Sequence, residues 1–399
     1  MALLWILGAA LQCALLFWLW CVGMRALRHP APAAPDVQQW GPQGGVERLP
    51  KVALFVPCAG AHPAMPTALR SLATQDYPKM LLVLITADAA DPASALAGEL
   101  RAAYPHVRHV LAGAAEGCGQ KNHNLLRGMA AHGDWAEVYA FADSTHVAAP
   151  DFVRQLVWPI ACGECPVATG YHRVVAQDAE PVTLAYQICV LLMRLLQGIG
   201  PFTQPWGGAM AVSRQAFERY AIADFWRDKV VDDCSLAAHA LQRGLHVRQC
   251  PHALLDTPAA HHPLAVWEAW LDRQVLFLKF CIPPQWWLLG VLALCMTLPP
   301  LASAFAVLGS LFGLMPPSGA WLTLGGVLHL GLLLWLLMGW RELTGQAPAP
   351  LYRWVSGFAL ACAMFARVYL RTLTAKSIDW HGFRYHVGKQ GRVERRERL

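Results

Sequence analysis

The chain has 399 residues, of which 56% are hydrophobic and 15% charged, and it contains 17 tryptophans. This composition is too apolar for an ordinary soluble enzyme, and tryptophan gathers at membrane interfaces. Much of the net charge of +6 lies in residues 388–399, which indicates contact with anionic lipid headgroups and not with nucleic acid. The 12 cysteines form no disulfide-like framework, so we expect reduced thiols in a cytosol-facing domain.

The N-terminal run is a predicted membrane anchor. Ala2–Met24 is almost entirely apolar and is long enough to cross a bilayer, which takes about 20 residues. Arg25 and Arg28 follow this run and no basic residue precedes it, so the positive-inside rule places the next domain in the cytoplasm. We expect an uncleaved anchor over residues 1–28 and a linker rich in Pro, Gly and Ala over residues 29–50.

Residues 51–265 alternate between strand-like and helix-like segments. Apolar runs rich in β-formers at 51–57, 81–86 and 138–142 are separated by helical patterns, and a short strand is predicted at 109–111. Strands that alternate with helices predict an α/β domain with a mostly parallel sheet. No Gly-x-Gly-x-x-Gly pattern follows the first strand, which argues against a dinucleotide-binding fold.

Polar residues follow several of the predicted strands, at the carboxyl ends where ligands bind in open α/β sheets. Asp143 comes directly after the central strand and either caps the next turn or holds a divalent cation, because hard cations prefer oxygen ligands. Gly207 and Gly208 would let the backbone approach a ligand closely. Asp232 and Asp233 open a helix. They are either a helix cap or a pair in which one carboxyl group has the raised pKa that suits a general base.

The C-terminal third is predicted to meet the membrane. Trp286–Phe312 and Trp321–Trp340 are each long enough to span a bilayer. The run at 355–370 either spans or lies in the interface, and the position of the basic C-terminus favours an interfacial or re-entrant segment. An apolar helix at 184–198 is too short to span, so it lies either on the membrane surface or in the core. We assign residues 266–399 to interfacial and transmembrane helices with a basic tail.

The polar residues together fit the transfer of a sugar from a nucleotide donor. Such a transfer needs positive charge to neutralise the departing diphosphate and a base to accept the proton of the acceptor hydroxyl. Asp143 would hold the cation, and Asp233, with Asp232 beside it, would be the base. Lys121 and Arg273 are candidates for phosphate contacts, although such side chains are ordinarily solvated surface charges. The glycine pair would line the sugar pocket.

Residues 51 to about 279 resemble the membrane-bound GT-A glycosyltransferases of the ceramide glucosyltransferase-like type. The matching residues, in chain order, are Val56-Pro57, Asp88 to Ala93, Gln120 to Leu125, Ala142 to Ser144, Pro150-Asp151, Gly208, Arg214, Asp232-Asp233 and Gly244. The N-terminal anchor and the C-terminal apolar runs match as well, and Ile378 to Tyr385 resembles the Trp-x-Gly-x-x-Tyr tail of bacterial relatives.

This resemblance implies a GT-A domain that transfers a hexose, with inversion, from a UDP-sugar to a membrane-lipid hydroxyl (ceramide-like, hopanoid or other) at the cytoplasmic face. It also implies Mg²⁺ or Mn²⁺ as cofactor. Asp88 or Asp91 would contact the nucleotide, Asp143 the metal and diphosphate, and Asp233 would be the base. The usual Asp-x-Asp motif lacks its second carboxylate here, because Thr145 stands in that place.

The usual Gln/Arg-x-x-Arg-Trp motif is represented only by Arg273 and Gln274, without the tryptophan. The resemblance implies that these two residues contribute to diphosphate and acceptor binding. It also implies a multi-pass protein of the bacterial inner membrane with a cytoplasmic catalytic domain. Two other interpretations stay open. A processive polysaccharide synthase would use the same chemistry, but such enzymes usually carry more spanning helices and an intact motif. A non-catalytic membrane scaffold would explain the broken motifs as lost activity.

Overall fold

The computed structural model describes residues 2–40, 49–314 and 319–399. Residues 1 and 41–48 of the predicted anchor and linker lie outside this described part, and the division of the chain at residues 28, 50 and 265 stays a prediction. The strands are β1 Val52–Pro57, β2 Met80–Thr86, β3 Val107–Leu111, β4 Val138–Ala142, β5 Val147–Ala148, β6 Val167–Ala176, β7 Ala209–Ser213, β8 Val247–Ala259, β9 Ser377–Trp380, β10 Phe383–Val387 and β11 Val393–Arg398. The helices are α1 Ala2–Arg28, α2 Met65–Ala73, α3 Pro92–Ala103, α4 Gln120–His132, α5 Phe152–Ala161, α6 Pro181–Gln197, α7 Arg214–Arg219, α8 Ile222–Trp226, α9 Asp233–Arg243, α10 Leu264–Cys281, α11 Pro283–Leu311, α12 Ala320–Glu342 and α13 Leu351–Thr372.

The central sheet has eight strands in the order β3-β2-β1-β4-β7-β6-β8-β5. Strands β3, β2, β1 and β4 run parallel to one another. Strand β7 is antiparallel to both of its neighbours, β4 and β6, whereas β8 runs parallel to β6. The prediction of a mostly parallel α/β sheet is therefore confirmed. Parallel strands end at the same edge of the sheet, so the residues that follow β1, β2 and β4 lie near one another.

The central strands are buried on both faces because helices cover the sheet on both sides. In β1, Leu54 packs into the core on one face and Phe55 into the core on the other, as the two-residue period of a strand requires. Continuous apolar runs such as β1 and β4 are typical of strands in a sheet covered on both sides. The polar residues that follow β4 thus extend from a closely packed support.

Three helices in the described part of the chain, α1, α11 and α12, are long and apolar enough to cross a membrane. They share a buried polar network in which His329 on α12 lies 2.7 Å from the Ser303 hydroxyl and 3.0 Å from the Gln12 amide oxygen. Such interhelical hydrogen bonds help apolar helices to associate where lipid provides no hydrophobic driving force. The two C-terminal spans predicted from the sequence correspond to α11 and α12.

Helix α6 is a core helix. It packs against α13 and also against β6, and residues such as Leu184, Tyr186 and Val190 are buried. Of the two placements left open from the sequence, burial in the core is the one observed. Helix α13 is not among the candidate spans of the described residues. It packs against α6, α10 and α11, which joins the α/β domain to the apolar helices.

The C-terminal residues form a second, antiparallel sheet in the order β11-β10-β9. Its buried Tyr385 accepts a hydrogen bond of 3.5 Å from the backbone N–H of Gln120 at the start of α4. The N–H of Val230 donates to the carbonyl of Gly391 at 2.9 Å. The basic stretch at 388–399 therefore folds onto the α/β domain and does not extend from it as a free tail.

Candidate active site

Lys121 lies at the centre of a cluster of acidic residues at the carboxyl edge of the sheet. It is in the first turn of α4, and its Nζ lies 3.0 Å from Asp143 Oδ1 and 3.2 Å from Asp232 Oδ2. Burial acts to lower the pKa of Lys121, but the charges of Asp143, Asp232 and Asp233 outweigh it, and the pKa rises. Lys121 is therefore a permanently charged ammonium group shared by several carboxylates.

Asp143 directly follows β4 and is the most accessible acid in contact with Lys121, with 32% of its side chain exposed. Its second oxygen, Oδ2, lies 3.9 Å from His146 Nε2, which is longer than a hydrogen bond. Burial acts to raise the pKa of Asp143, but Lys121 and His146 outweigh it, and the net shift is downward. Asp143 is thus ionised at neutral pH, and its Oδ2 accepts no hydrogen bond from any residue that the structure describes.

Asp232 is completely buried. Neither of its oxygens accepts a hydrogen bond from a described residue, so the ion pair with Lys121 is its main stabilising contact. Burial, with the nearby charges of Asp233 and Asp143, raises the pKa of Asp232 to about 6, although Lys121 acts against the rise. Asp232 therefore gains or loses a proton in the range where most enzymes work.

Asp233 is the first residue of α9 and binds the loop that carries the two predicted glycines. Its Oδ2 accepts a hydrogen bond from Gly207 N at 3.0 Å. A Cβ atom at Gly207 would lie 2.3 Å from Asp232 Oδ2, and one at Gly208 would lie 2.3 Å from the Trp206 ring. Only glycine fits at either position without displacing its neighbours, so the loop lies directly against the acidic cluster.

A layer of aromatic and imidazole rings next to Asp143 was not predicted from the sequence. His172 stacks on Trp206 with ring centroids 4.8 Å apart, and His146 lies 4.8 Å from His172. The hydroxyl of Thr257 lies 2.7 Å from His172 Nδ1 and 2.8 Å from His146 Nδ1. Burial is the main cause that lowers the pKa of both histidines. The spacing Asp143-x-x-His146 is a sequence signal that could have indicated this layer but was not used.

Asp88 and Asp91 lie beyond the carboxyl end of β2 and hold backbone groups of their own loop. Asp88 Oδ1 accepts from the N–H groups of Ala90 and Asp91 at 2.8 and 3.0 Å. Asp91 Oδ1 accepts from Gly60 N at 2.8 Å and from Ala93 N at 2.9 Å, capping α3. Neither carboxylate contacts the acidic cluster through a hydrogen bond or an ion pair among the described residues, so their predicted contact with the nucleotide stays a prediction.

Arg273 and Gln274 lie on α10, and neither forms a hydrogen bond or ion pair with the acidic cluster in the described part of the chain. Arg273 is instead near His381, in the turn between β9 and β10. Desolvation by its neighbours, and then the charge of Arg273, lower the pKa of His381, whereas Asp91 acts in the opposite direction. The charges of two predicted site residues, Arg273 and Asp91, thus both act on His381.

A solved glycosyltransferase shares the fold of this domain. The mannosyltransferase PcManGT from Pyrobaculum calidifontis, solved in complex with GDP-Man and Mn²⁺, matches with a TM-score of 0.55 and 18% sequence identity. The match covers 93% of this chain and 99% of that chain. The predicted GT-A fold is therefore confirmed.

A second solved structure is glucosyl-3-phosphoglycerate synthase from Mycobacterium tuberculosis, in complex with Mn²⁺, uridine diphosphate and glucosyl-3-phosphoglycerate. It matches 57% of this chain and 78% of that chain, with a TM-score of 0.37 and 17% identity. This similarity is too low to carry a conclusion. A search of curated proteins found no significant match.

The profile of glycosyl transferase family 21 matches residues 13–393. Because this match covers most of the chain, the protein belongs to glycosyl transferase family 21, and it is a glycosyltransferase. The predicted resemblance to ceramide glucosyltransferase-like enzymes is thereby confirmed.

Proposed function

We propose that this protein transfers a hexose from a UDP-sugar to the hydroxyl group of a membrane lipid, with inversion, at the cytoplasmic face of a bacterial inner membrane. The observation that carries the proposal is the single cluster of Lys121, Asp143, Asp232 and Asp233 against the Gly207 loop. Family membership supports glycosyl transfer. The three apolar helices support an acceptor that resides in the bilayer.

A divalent cation, Mg²⁺ or Mn²⁺, fits the donor set around Asp143. The described residues contain no group of three or more His, Cys, Asp or Glu that could hold a metal ion. Mg²⁺ at nucleotide sites usually takes only one or two protein ligands and completes its shell with phosphate oxygens and water. Asp143 Oδ2 and His146 Nε2, which face each other at 3.9 Å, are the donors that would hold it. Bound there, the cation would offset the negative charge of the diphosphate.

The remaining groups supply the other requirements of the transfer. Asp233 accepts the proton of the acceptor hydroxyl while the oxygen of that hydroxyl bonds to the anomeric carbon of the sugar. The bond from that carbon to the diphosphate oxygen breaks, and the nucleotide leaves with the electron pair. Lys121 contributes fixed positive charge beside the departing group. Asp88, Asp91, Gly208, Arg273 and Gln274 complete the proposed binding surface for nucleotide, sugar and acceptor.

The test measures sugar transfer by the detergent-purified chain with UDP-sugars, a lipid extract and Mg²⁺ or Mn²⁺. We expect Asp233→Asn to slow transfer by about 10²–10⁴-fold while UDP binding is retained, because the amide keeps its size but cannot accept a proton. Asp224→Asn is the matched control, since Asp224 is exposed and forms an ion pair with Arg227. Growth of a polymer would instead support the synthase alternative, and absence of nucleotide binding with either metal would support the scaffold.

A further inference from the structure

A cavity lies where the α/β domain meets the apolar helices. It has a volume of about 210 Å³, which is far more than the roughly 10–15 Å³ that one water needs. The segment from the end of β6 into α6 forms one wall, and the end of α12 with the start of α13 forms the other. No residue of the acidic cluster lines it, so it is separate from the proposed active site.

Two buried donors on the walls of this cavity have no acceptor. Arg341 Nε and Trp354 Nε1 make no hydrogen bond with any described residue, and both side chains line the cavity. Nor does the Arg341 guanidinium form an ion pair within the described ranges. A buried donor without a partner destabilises the fold, and more so when it is charged. Two such donors on one cavity point to a ligand that presents acceptor oxygens.

The other polar groups on the walls do not satisfy these donors. Asp178 is the acid that lines the cavity, but its oxygens accept from Glu180 N at 2.8 Å, His261 N at 2.5 Å and Thr183 Oγ1 at 3.3 Å. These contacts hold the Asp178 carboxylate against its own loop and leave Arg341 uncompensated.

A further donor and a further positive charge lie nearby. The Gln346 amide oxygen accepts from Gln187 Nε2 at 2.5 Å and from Ala176 N at 3.2 Å, which leaves the Gln346 amide NH₂ available. Arg194 donates to the carbonyl of Leu343 at 2.9 Å and pairs with no acid among the described residues. The region around the cavity therefore carries an excess of donors and of positive charge.

The cavity lies beside the end of a candidate membrane-spanning helix. Arg341 is in the last turn of α12, a candidate membrane span, and the α/β domain covers that end of the helix. In a bilayer, the ends of a spanning helix lie among the phospholipid phosphates, just outside the hydrocarbon core. We propose that this cavity binds the phosphate group of an anionic phospholipid, whose oxygens accept hydrogen bonds from Arg341 and Trp354. This assignment does not depend on the proposed sugar transfer.

The experiment measures binding of phosphatidylglycerol to the delipidated full-length chain in detergent by native mass spectrometry. We expect Arg341→Gln to weaken binding by about 10-fold or more and Trp354→Phe by about threefold to tenfold, because each removes a donor to a charged acceptor. Arg353→Gln is the matched control, since Arg353 is exposed beside Tyr352 and does not line the cavity. Its binding should equal that of the unmodified chain.

Three results would overturn the proposal. The first is unchanged phosphatidylglycerol binding in both cavity variants. The second is equal binding of phosphatidylcholine and phosphatidylglycerol by the unmodified chain. The third is protection from thermal unfolding by inorganic phosphate with no binding of phosphatidylglycerol, which would assign the cavity to a soluble phosphate ligand. If Arg341→Gln does not fold, Trp354→Phe, which keeps the ring and loses only the N–H donor, decides the question.

Discussion

The acidic cluster and the cavity beside α12 have opposite electrostatic character. In the cluster, the carboxylates of Asp143, Asp232 and Asp233 surround the single ammonium group of Lys121, so negative charge is in excess. In the cavity, Arg341 and Trp354 are donors without acceptors in the described part of the chain. The first region therefore favours an added cation, and the second favours an added anion. One chain thus presents two sites of opposite preference.

The difference also separates two ways of arranging buried polar groups. The cluster balances part of its charge internally, because Lys121 bridges two carboxylates before any ligand is present. The cavity leaves its donors for an external partner, which makes its stability depend on what binds there. Variants that remove one charge at a time from the cluster should therefore change the stability of the fold strongly.

The largest effect is expected for Lys121→Ala. This change removes the cation that pairs with the buried Asp232 in the described part of the chain, and breaking such a buried pair costs about 3–5 kcal/mol of unfolding free energy. The loss should be smaller at pH 5 than at pH 8, because Asp232 becomes neutral by taking up a proton. Thermal unfolding in detergent at both pH values measures this, with Lys376→Ala as the control because Lys376 is exposed. Equal stability of Lys121→Ala and the control would contradict the central position of Lys121.

Asp232→Asn should change how stability depends on pH. The folded pKa of Asp232 is about 6, against an ordinary value of 3.8, so folding favours its protonated form. The stabilising contribution of that proton is complete below about pH 4 and is lost as the pH rises through 6. Asp232→Asn removes this dependence, so its stability relative to the unmodified chain should rise by about 3 kcal/mol between pH 4 and pH 7. Parallel stability curves for the two proteins would contradict the prediction.

Gly207→Ala tests how closely the glycine loop lies against the cluster. The new Cβ would be 2.3 Å from Asp232 Oδ2 and 2.7 Å from Lys121 Nζ, so the ion pair or the loop must move. Overpacking of this kind costs about 1–3 kcal/mol, and transfer activity should fall with it. Gly200→Ala is the control, since no atom lies within 4 Å of its added Cβ. An active, fully stable Gly207→Ala variant would contradict this prediction and show that the loop can move away from the cluster at little cost.

Some of the contacts behind these effects could be predicted from the sequence, and others could not. Asp143 was predictable because β4 is a short apolar run that ends directly before it, and the strand period and sheet topology then fix its edge. The role of Lys121 as a bridge was not, because Asp232 comes more than a hundred residues later and only the folded sheet brings them together. Strand β6 was not predicted to extend to Ala176, because its length depends on pairing with β8, a strand more than seventy residues later in the chain.

The cavity beside α12 was beyond prediction for the same reason. Its donors, Arg341 and Trp354, look like ordinary interface residues at the ends of two apolar segments, and nothing near them in sequence shows that they are buried. Trp354 is buried on α13, which packs against α6, and Arg341 is half-buried at the end of α12. Local pattern thus predicted the strand ends and the apolar helices, whereas every contact between distant segments required the structure.

The smallest effect is expected for Thr257→Val, in the ring layer beside Asp143. Valine has the same shape as threonine but lacks the hydroxyl that lies 2.7 and 2.8 Å from the Nδ1 atoms of His172 and His146. Two buried imidazoles would each lose a partner, at a cost of about 1–2 kcal/mol. His146 would also be less well oriented toward Asp143, so Mn²⁺ binding measured by calorimetry should weaken by severalfold. Thr257→Ser keeps the hydroxyl and should bind Mn²⁺ as the unmodified chain does. If valine and serine variants bind Mn²⁺ equally, the orientation of His146 has no part in holding the cation, and Asp143 acts there without it.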